Sequence, residues 1–245
     1  MGNVLEVAKA FASVNPAPLS KLYKQREVTG GKLRPPAVVR ADGVGFGKAL
    51  KEGFAWPRDR RVHEALINAA EKLMRRYSAS AAYVVSDEVS VLFRTLPYSG
   101  RLFKVVSVTA SILSSHVSIE LNRPLYFDAR AIRLTNVEEF VPYVIFRARV
   151  GLNNYVSSLY HSIAKNNHET PPLPRMLKYV EKIIGDRDSW ECCGTLLYWG
   201  TYLKDGVDRR TGKRVTVVRR SIIKVNVTSP SDIVKACQSI KASPY

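Results

Sequence analysis

Asp42, Asp87 and Glu88 are the residues of this chain best suited to do chemistry. Asp42 sits at the end of Val38-Val39-Arg40-Ala41-Asp42-Gly43, and Asp87-Glu88 interrupt Tyr83-Val84-Val85-Ser86-Asp87-Glu88-Val89-Ser90-Val91. Acids in contexts this apolar are costly unless something pairs them. Three carboxylates delivered to one place repel one another unless a cation sits between them. Divalent magnesium is the ordinary answer, and two such ions clamp a phosphoryl transfer. Asp42 and Asp87 would then hold one ion, and Asp42, Glu88 and the Gly43 carbonyl the other. Everything turns on whether the fold brings the three acids together.

The surrounding pattern provides for that. Residues 37–41 form a β-branched apolar run stopped by Gly43, Gly45 and Gly47. From Asp59 to Tyr77 the apolar period becomes helical, with Val62, Leu66, Ala69, Ala70, Leu73 and Tyr77 on one face and Asp59 as N-cap. Residues 82–85 and 89–93 read as two strands, 101–121 as a second helix and 125–134 as a last strand. The order β-α-β-β-α-β is a split unit of the ferredoxin-like kind, an α+β polymerase palm, in which the first and third strands are central neighbours. The end of the first then lies beside the start of the third.

These motifs resemble the tRNA-His guanylyltransferase family. The resemblance rests on Arg40-Ala41-Asp42-Gly43 with Phe46, on Phe54-Ala55-Trp56-Pro57-Arg58-Asp59, and on Ser86-Asp87-Glu88. Phe127-Asp128-Ala129-Arg130, Asn153-Asn154 and Gly194-Thr195 follow in order, so it runs from about Val38 to about Ile223. It implies a palm-fold enzyme that adds nucleotides to the 5′ end of tRNA in the 3′-to-5′ direction. It also implies two Mg2+ ions, GTP or other nucleoside triphosphates and ATP as substrates, and a homo-oligomer, dimer or tetramer. The archaeal and bacterial members, which repair truncated 5′ ends by template, look closest. Basic ligands for the nucleotide phosphates are expected near Arg101 and Lys104.

Departures accompany the likeness. Trp56 stands where the family usually has Lys, Arg58 where it has Asn, Gly151 where the eukaryotic enzyme has His, and Cys193 where a basic residue is common. Those positions are tied to 5′-end activation and to tRNA and nucleotide contacts. Their replacement points away from strict tRNA-His recognition and leaves the acids untouched.

Gly43-Val44-Gly45-Phe46-Gly47 lacks the spacing of a dinucleotide fingerprint or a Walker loop. It reads as a turn whose amides, with Ser86, face a triphosphate, or as a simple end to a strand. Asp128 and Arg130 share a strand face and read as an ion pair. Asn153 and Asn154 suit RNA or nucleotide contact, or capping after a helix break at Gly151.

Lys and Arg number 38 against 21 Asp and Glu, a formal charge of +17. That is a bias toward polyanions, and a solvated basic surface is the plain alternative. Arg209, Arg210, Lys213 and Arg214 cluster where residues 205–212 join two alternating runs, which makes a basic hairpin tip for RNA. Three cysteines without metal spacing, and His63, His116, His161 and His168 without paired spacing, offer no zinc site and fit a reducing, cytoplasmic compartment. No run of 18 apolar residues and no signal-like start appear, so a membrane is not expected as a partner. The expected division is an N-terminal arm at 1–36, mobile about Thr29-Gly30-Gly31, a palm-like catalytic unit at 37–135, and a helical and β-hairpin extension at 136–245. Two other functions fit the same frame. One is a catalytically silent RNA-binding module; the other is a palm-type nucleotide cyclase, against which the absence of a Gly-Gly-Asp/Glu-Glu-Phe turn counts.

Overall fold

A computed structural model describes residues 2–164 and 169–242. His168 lies outside the described residues. Six strands form one antiparallel sheet in the order β4-β1-β3-β2-β5-β6. The strands are β1 (Ala37–Val44), β2 (Ala81–Val85), β3 (Glu88–Phe93), β4 (Tyr126–Arg133), β5 (Thr195–Val207) and β6 (Arg214–Asn226). The first four reproduce the order expected of the split unit. The C-terminal hairpin then joins the same sheet through β2, with Thr195 opposite Val84 and Tyr198 opposite Ala81.

Alternation along the central strands sends their side chains to two cores. Ala37, Val39 and Ala41 of β1, with Val89 and Val91 of β3, meet α4 (Arg60–Tyr77) and α5 (Leu102–Leu121) on one face. Val38, Leu92 and Tyr83 meet α6 (Phe140–Ile163) on the other. The short α3 (Phe46–Ala49) follows β1. Around α6 gather α1 (Val4–Phe11), α2 (Pro16–Gln25), α7 (Leu173–Ile184), α8 (Ser189–Cys193) and α9 (Pro230–Ala242).

Three expectations are corrected here. The first 30 residues are not a loose arm. Asn3 caps α1 with its side chain on the Glu6 N–H while Glu6 reaches back to the Asn3 N–H, and Val4, Val7, Ala8 and Phe11 are fully buried. Asn3→Ala should cost ~1 kcal/mol in urea denaturation; no measurable loss would make the cap incidental. Gly151 does not break its helix, since α6 runs through it. A Cβ there would lie 2.5 Å from Val85 Cγ2 and 2.8 Å from the Cys192 carbonyl oxygen, so the glycine serves close packing. Finally, Asp205 and Gly206 pair with Thr216 and Val215, which extends the hairpin strands and shrinks the tip to residues 208–213.

By length and composition alone α5 could cross a membrane. Here Val105, Thr109, Leu113 and Val117 bury against the sheet, and Ser107, Ser111 and Ser115 lie on other sides of the helix. The three cysteines are buried thiols, and among the described residues none is in a disulfide.

Candidate active site at the end of the central strands

The pairing register settles where the acids go. Asp42 of β1 lies directly opposite Glu88 of β3, on the face that carries Arg40 and Ser90. Asp87 sits one residue earlier, in the tight β2–β3 turn, where Ser86 takes φ 58°. The Gly43 N–H donates to the Asp87 carbonyl at 3.1 Å and ties the turn to β1. The Ser86 hydroxyl donates to Asp87 Oδ1 at 2.9 Å. Gly43 admits no other residue, because a Cβ would lie 2.6 Å from the ring of Phe46, itself packed edge-on against Phe127. β1 continues through Gly43 to Val44 rather than stopping at the glycine, which places Asp42 inside the ladder.

Glu88 and Asp42 have different surroundings. Glu88 is 2% exposed. Arg147 of α6 grips it at two points, with Nε 3.0 Å from Oε1 and Nη2 on Oε2. The Ser90 hydroxyl donates to Oε1 at 3.0 Å and is itself bonded to the Tyr143 hydroxyl at 2.8 Å. Arg40 Nε stands 3.8 Å from Oε2. Asp42 has no such fork. Burial, then the charges of Glu88 and Asp87, push its pKa from 3.8 to about 6, against the pull of Arg40 and Arg147. That place is short of positive charge.

A pH test follows. A folded-state pKa above the unfolded one means that Asp42 contributes stability fully present below about pH 4 and lost as pH rises through about 6. In metal-free buffer Asp42→Asn should therefore raise the melting temperature at neutral pH and leave it unchanged in acid. A lower melting temperature at neutral pH would show that the carboxylate is already compensated.

Beside Asp87 opens a cavity of about 540 Å³, lined by Phe54, Trp56, Arg58, His63, Asp87 and Trp190 among others. Asp59 at its wall is held by Arg61 through Nε and Nη2 at 3.0 and 2.8 Å and by the N–H groups of Ala55 and Arg61. Those contacts outweigh burial and bring its pKa down to about 2. His63 stacks on Trp190, its Nε2 2.8 Å from Thr195 Oγ1. Burial, then Arg58 and Arg60, hold its pKa near 3, so it is neutral.

Other expected site residues fall elsewhere. Arg101 and Lys104 do not join the acids. Lys32 bridges Arg101, and the Leu33 N–H bonds the Gly100 carbonyl, at the Ala37 end of β1. Five residues at ~3.3 Å each put that end about 17 Å from Asp42. Arg101 there bonds the Tyr98 carbonyl, and Lys104 lies over the Tyr98 ring. Asn153 and Asn154 follow Gly151 on α6, and Gly151 packs against Val85, two residues before Asp87. Asp128 and Arg130 form an ion pair at 3.5 Å. Arg209, Arg210, Lys213 and Arg214 are exposed at the hairpin tip. Arg147 and Trp190 come from elements whose docking the sequence does not show, whereas His63 sits on the expected first helix, where it packs on Trp190 as a helix-packing residue rather than a ligand.

No group of three or more His, Cys, Asp or Glu side chains among the described residues is arranged to hold a metal. With Glu88 committed to Arg147, two carboxylates remain. That still fits Mg2+, which is usually held by one or two carboxylates plus substrate phosphates rather than by an all-protein cage.

The family model described as Thg1, tRNAHis guanylyltransferase, matches residues 24–151, just over half of the chain. Among solved structures the chain is similar to a bacterial tRNA(His) guanylyltransferase (Thg1)-like protein in complex with ATP. The TM-score is 0.66 at 21% identity, covering 91% of this chain and 98% of that one. A GTP complex of a protein so described gives 0.64 at 21%, covering 91% and 97%. The tRNA(His) guanylyltransferase of Saccharomyces cerevisiae gives 0.59 at 18%, covering 72% and 91%. Identities this low establish a shared fold. No curated protein matches the sequence.

Proposed function

The chain belongs to the tRNA-His guanylyltransferase family, and from that premise we propose that it is a magnesium-dependent nucleotidyltransferase extending the 5′ end of tRNA in the 3′-to-5′ direction. The observation that carries this reading is that Asp42 and Asp87 come close enough for each charge to act on the other, with the Asp87 turn tied to β1 by the Gly43 N–H and Asp87 at the edge of an aromatic-lined cavity. Asp42, Asp87 and the Gly43 carbonyl would hold the ions, with Glu88 completing the acidic triplet from its place against Arg147. Bound there, Mg2+ supplies positive charge to the triphosphate and favours the deprotonated hydroxyl.

The chain's own residues position the reactants. The incoming GTP or other nucleoside triphosphate supplies a 3′-hydroxyl. That oxygen bonds to the activated 5′ phosphorus of the RNA, the bond to the leaving pyrophosphate, or to the adenylate of an ATP-activated end, breaks, and the hydroxyl proton passes to solvent water. ATP would serve where the 5′ end needs activating. Ser86 fixes the Asp87 carboxylate. The turn of Gly43, Val44, Gly45, Phe46 and Gly47 offers amides to the phosphates. In this reading residues 37–135 are the catalytic unit, and 1–36 and 136–245 support it. Assembly as a homo-oligomer is part of the same proposal.

The direct test uses labelled 5′-truncated tRNA, each nucleoside triphosphate and magnesium. A product longer by the templated nucleotide, lost on chelation, is expected. Absence of any extended product would refute the proposal.

In this reading the RNA runs along the hairpin. β5 starts beside Val84 at the acid end and runs away from it for 13 residues, so the tip stands about 40 Å from the acids. Reversing Arg209, Arg210, Lys213 and Arg214 should flatten the log-affinity against log-salt slope by about 3, at 0.7–0.9 per phosphate. An unchanged slope would place the RNA elsewhere.

A further inference from the structure

Arg58 is a cation that the reading above leaves without work. It lines the cavity next to Asp87. Its Nη1 donates to its own neighbour, the Pro57 carbonyl, at 2.9 Å, and its Nε is buried with no partner. None of the ion pairs among the described residues includes it.

The acids around it are already engaged. Asp59, the next residue, is held by Arg61 and the Ala55 N–H. Glu191 accepts from the Tyr155 hydroxyl at 2.9 Å and from Arg187 at 3.4 Å. Asp87 faces the metal in the proposed reaction and accepts from Ser86. Burial lowers the Arg58 pKa, while Asp87, Tyr155, Cys192 and Glu191 act in the opposite direction at longer range. Arg58 is half-buried, and a guanidinium Nε out of water without a partner is costly. A ligand that brings its own anion removes that cost.

We propose that Arg58 is the receptor for a phosphate group in the cavity beside Asp87. Naming phosphate rather than carboxylate rests on the nucleotidyl-transfer reading. The cavity suits the rest of such a ligand. Trp56, 57% exposed, and the Trp190–His63 stack offer flat apolar faces, and the planar guanidinium matches two phosphate oxygens at once. The phosphate belongs either to the nucleoside triphosphate or to the 5′ end of the RNA.

The test measures binding rather than turnover, by titration calorimetry with the metal chelated, on wild type, Arg58→Gln and Arg58→Lys. One arm compares GTP with guanosine. The other compares a 5′-phosphorylated RNA with the same RNA ending in a 5′-hydroxyl. Wild type should prefer the phosphorylated ligand by about tenfold or more in at least one arm. Arg58→Gln should erase that preference, Arg58→Lys should keep part of it, and the arm affected names the source of the phosphate. A preference that survives Arg58→Gln, or no preference in wild type, overturns the proposal. Thermal melting of both variants separates a lost contact from a lost fold. A protein that reads phosphate through Arg58 yet extends no RNA would uphold this inference and refute the nucleotidyl-transfer reading, so the two fail separately.

Discussion

Asp87→Ala is expected to lower the rate of nucleotide addition by three orders of magnitude or more while leaving the protein folded. Charge stabilisation by bound metal contributes several kcal/mol to such reactions, and each ~1.4 kcal/mol is a factor of ten. Two features isolate the effect on the carboxylate. The link between Asp87 and β1 runs through its backbone carbonyl, which accepts from the Gly43 N–H and survives the substitution. Among the described residues its side chain accepts from the adjacent Ser86 hydroxyl. Removing one negative charge also relieves Asp42, whose pKa Asp87 helps to raise. The melting temperature without metal should therefore hold or rise, and RNA affinity, which the proposal assigns to basic residues far from the turn, should change little. Single-turnover rates on 5′-truncated tRNA give the readout. An Asp87→Ala protein within tenfold of wild type would reject Asp87 as a metal ligand, whatever the family.

The same turn shows what can be read from one sequence. Apolar β-branched runs ending in acids located Asp42, Asp87 and Glu88, and the strand order placed the first strand beside the third. The register of Asp42 opposite Glu88 follows from that order. Arg101 and Lys104 were misplaced for a reason the sequence already held. Six residues of β3 carry the chain about 20 Å from Glu88 before α5 begins, so the start of α5 must lie at the far end of the sheet. Asn3-Val4-Leu5-Glu6 carried the α1 cap in plain view. The partners of Glu88 and the walls of the cavity were not legible. Arg147 lies 59 residues beyond Glu88 in sequence, in a helix whose docking face depends on tertiary packing. Trp190 comes from a five-residue helix with no periodicity to read.

Arg147→Met should destabilise the fold by about 3–5 kcal/mol, the range for breaking a buried ion pair from one side. The substitution keeps the aliphatic bulk and removes only the fork. Burial works against the Arg147 charge, yet the Glu88 carboxylate outweighs it and raises the Arg147 pKa. Without the fork, Glu88 keeps one hydroxyl from Ser90 and a guanidinium nitrogen at 3.8 Å from Arg40, while staying almost wholly out of water. At ~2–4 °C per kcal/mol for a chain of this size, the melting temperature should fall on the order of 10 °C. Glu88→Gln alone should also destabilise, by stranding Arg147. The double change, Arg147→Met with Glu88→Gln, removes both charges and should recover most of the loss, because a buried pair replaced by uncharged groups is often close to neutral. Urea denaturation of the four proteins closes the cycle, and a coupling energy under about 0.5 kcal/mol would mean that the two residues are independent. A large coupling would establish that the acid opposite Asp42 is held by α6, so that an element outside the four-stranded unit sets the charge of the site.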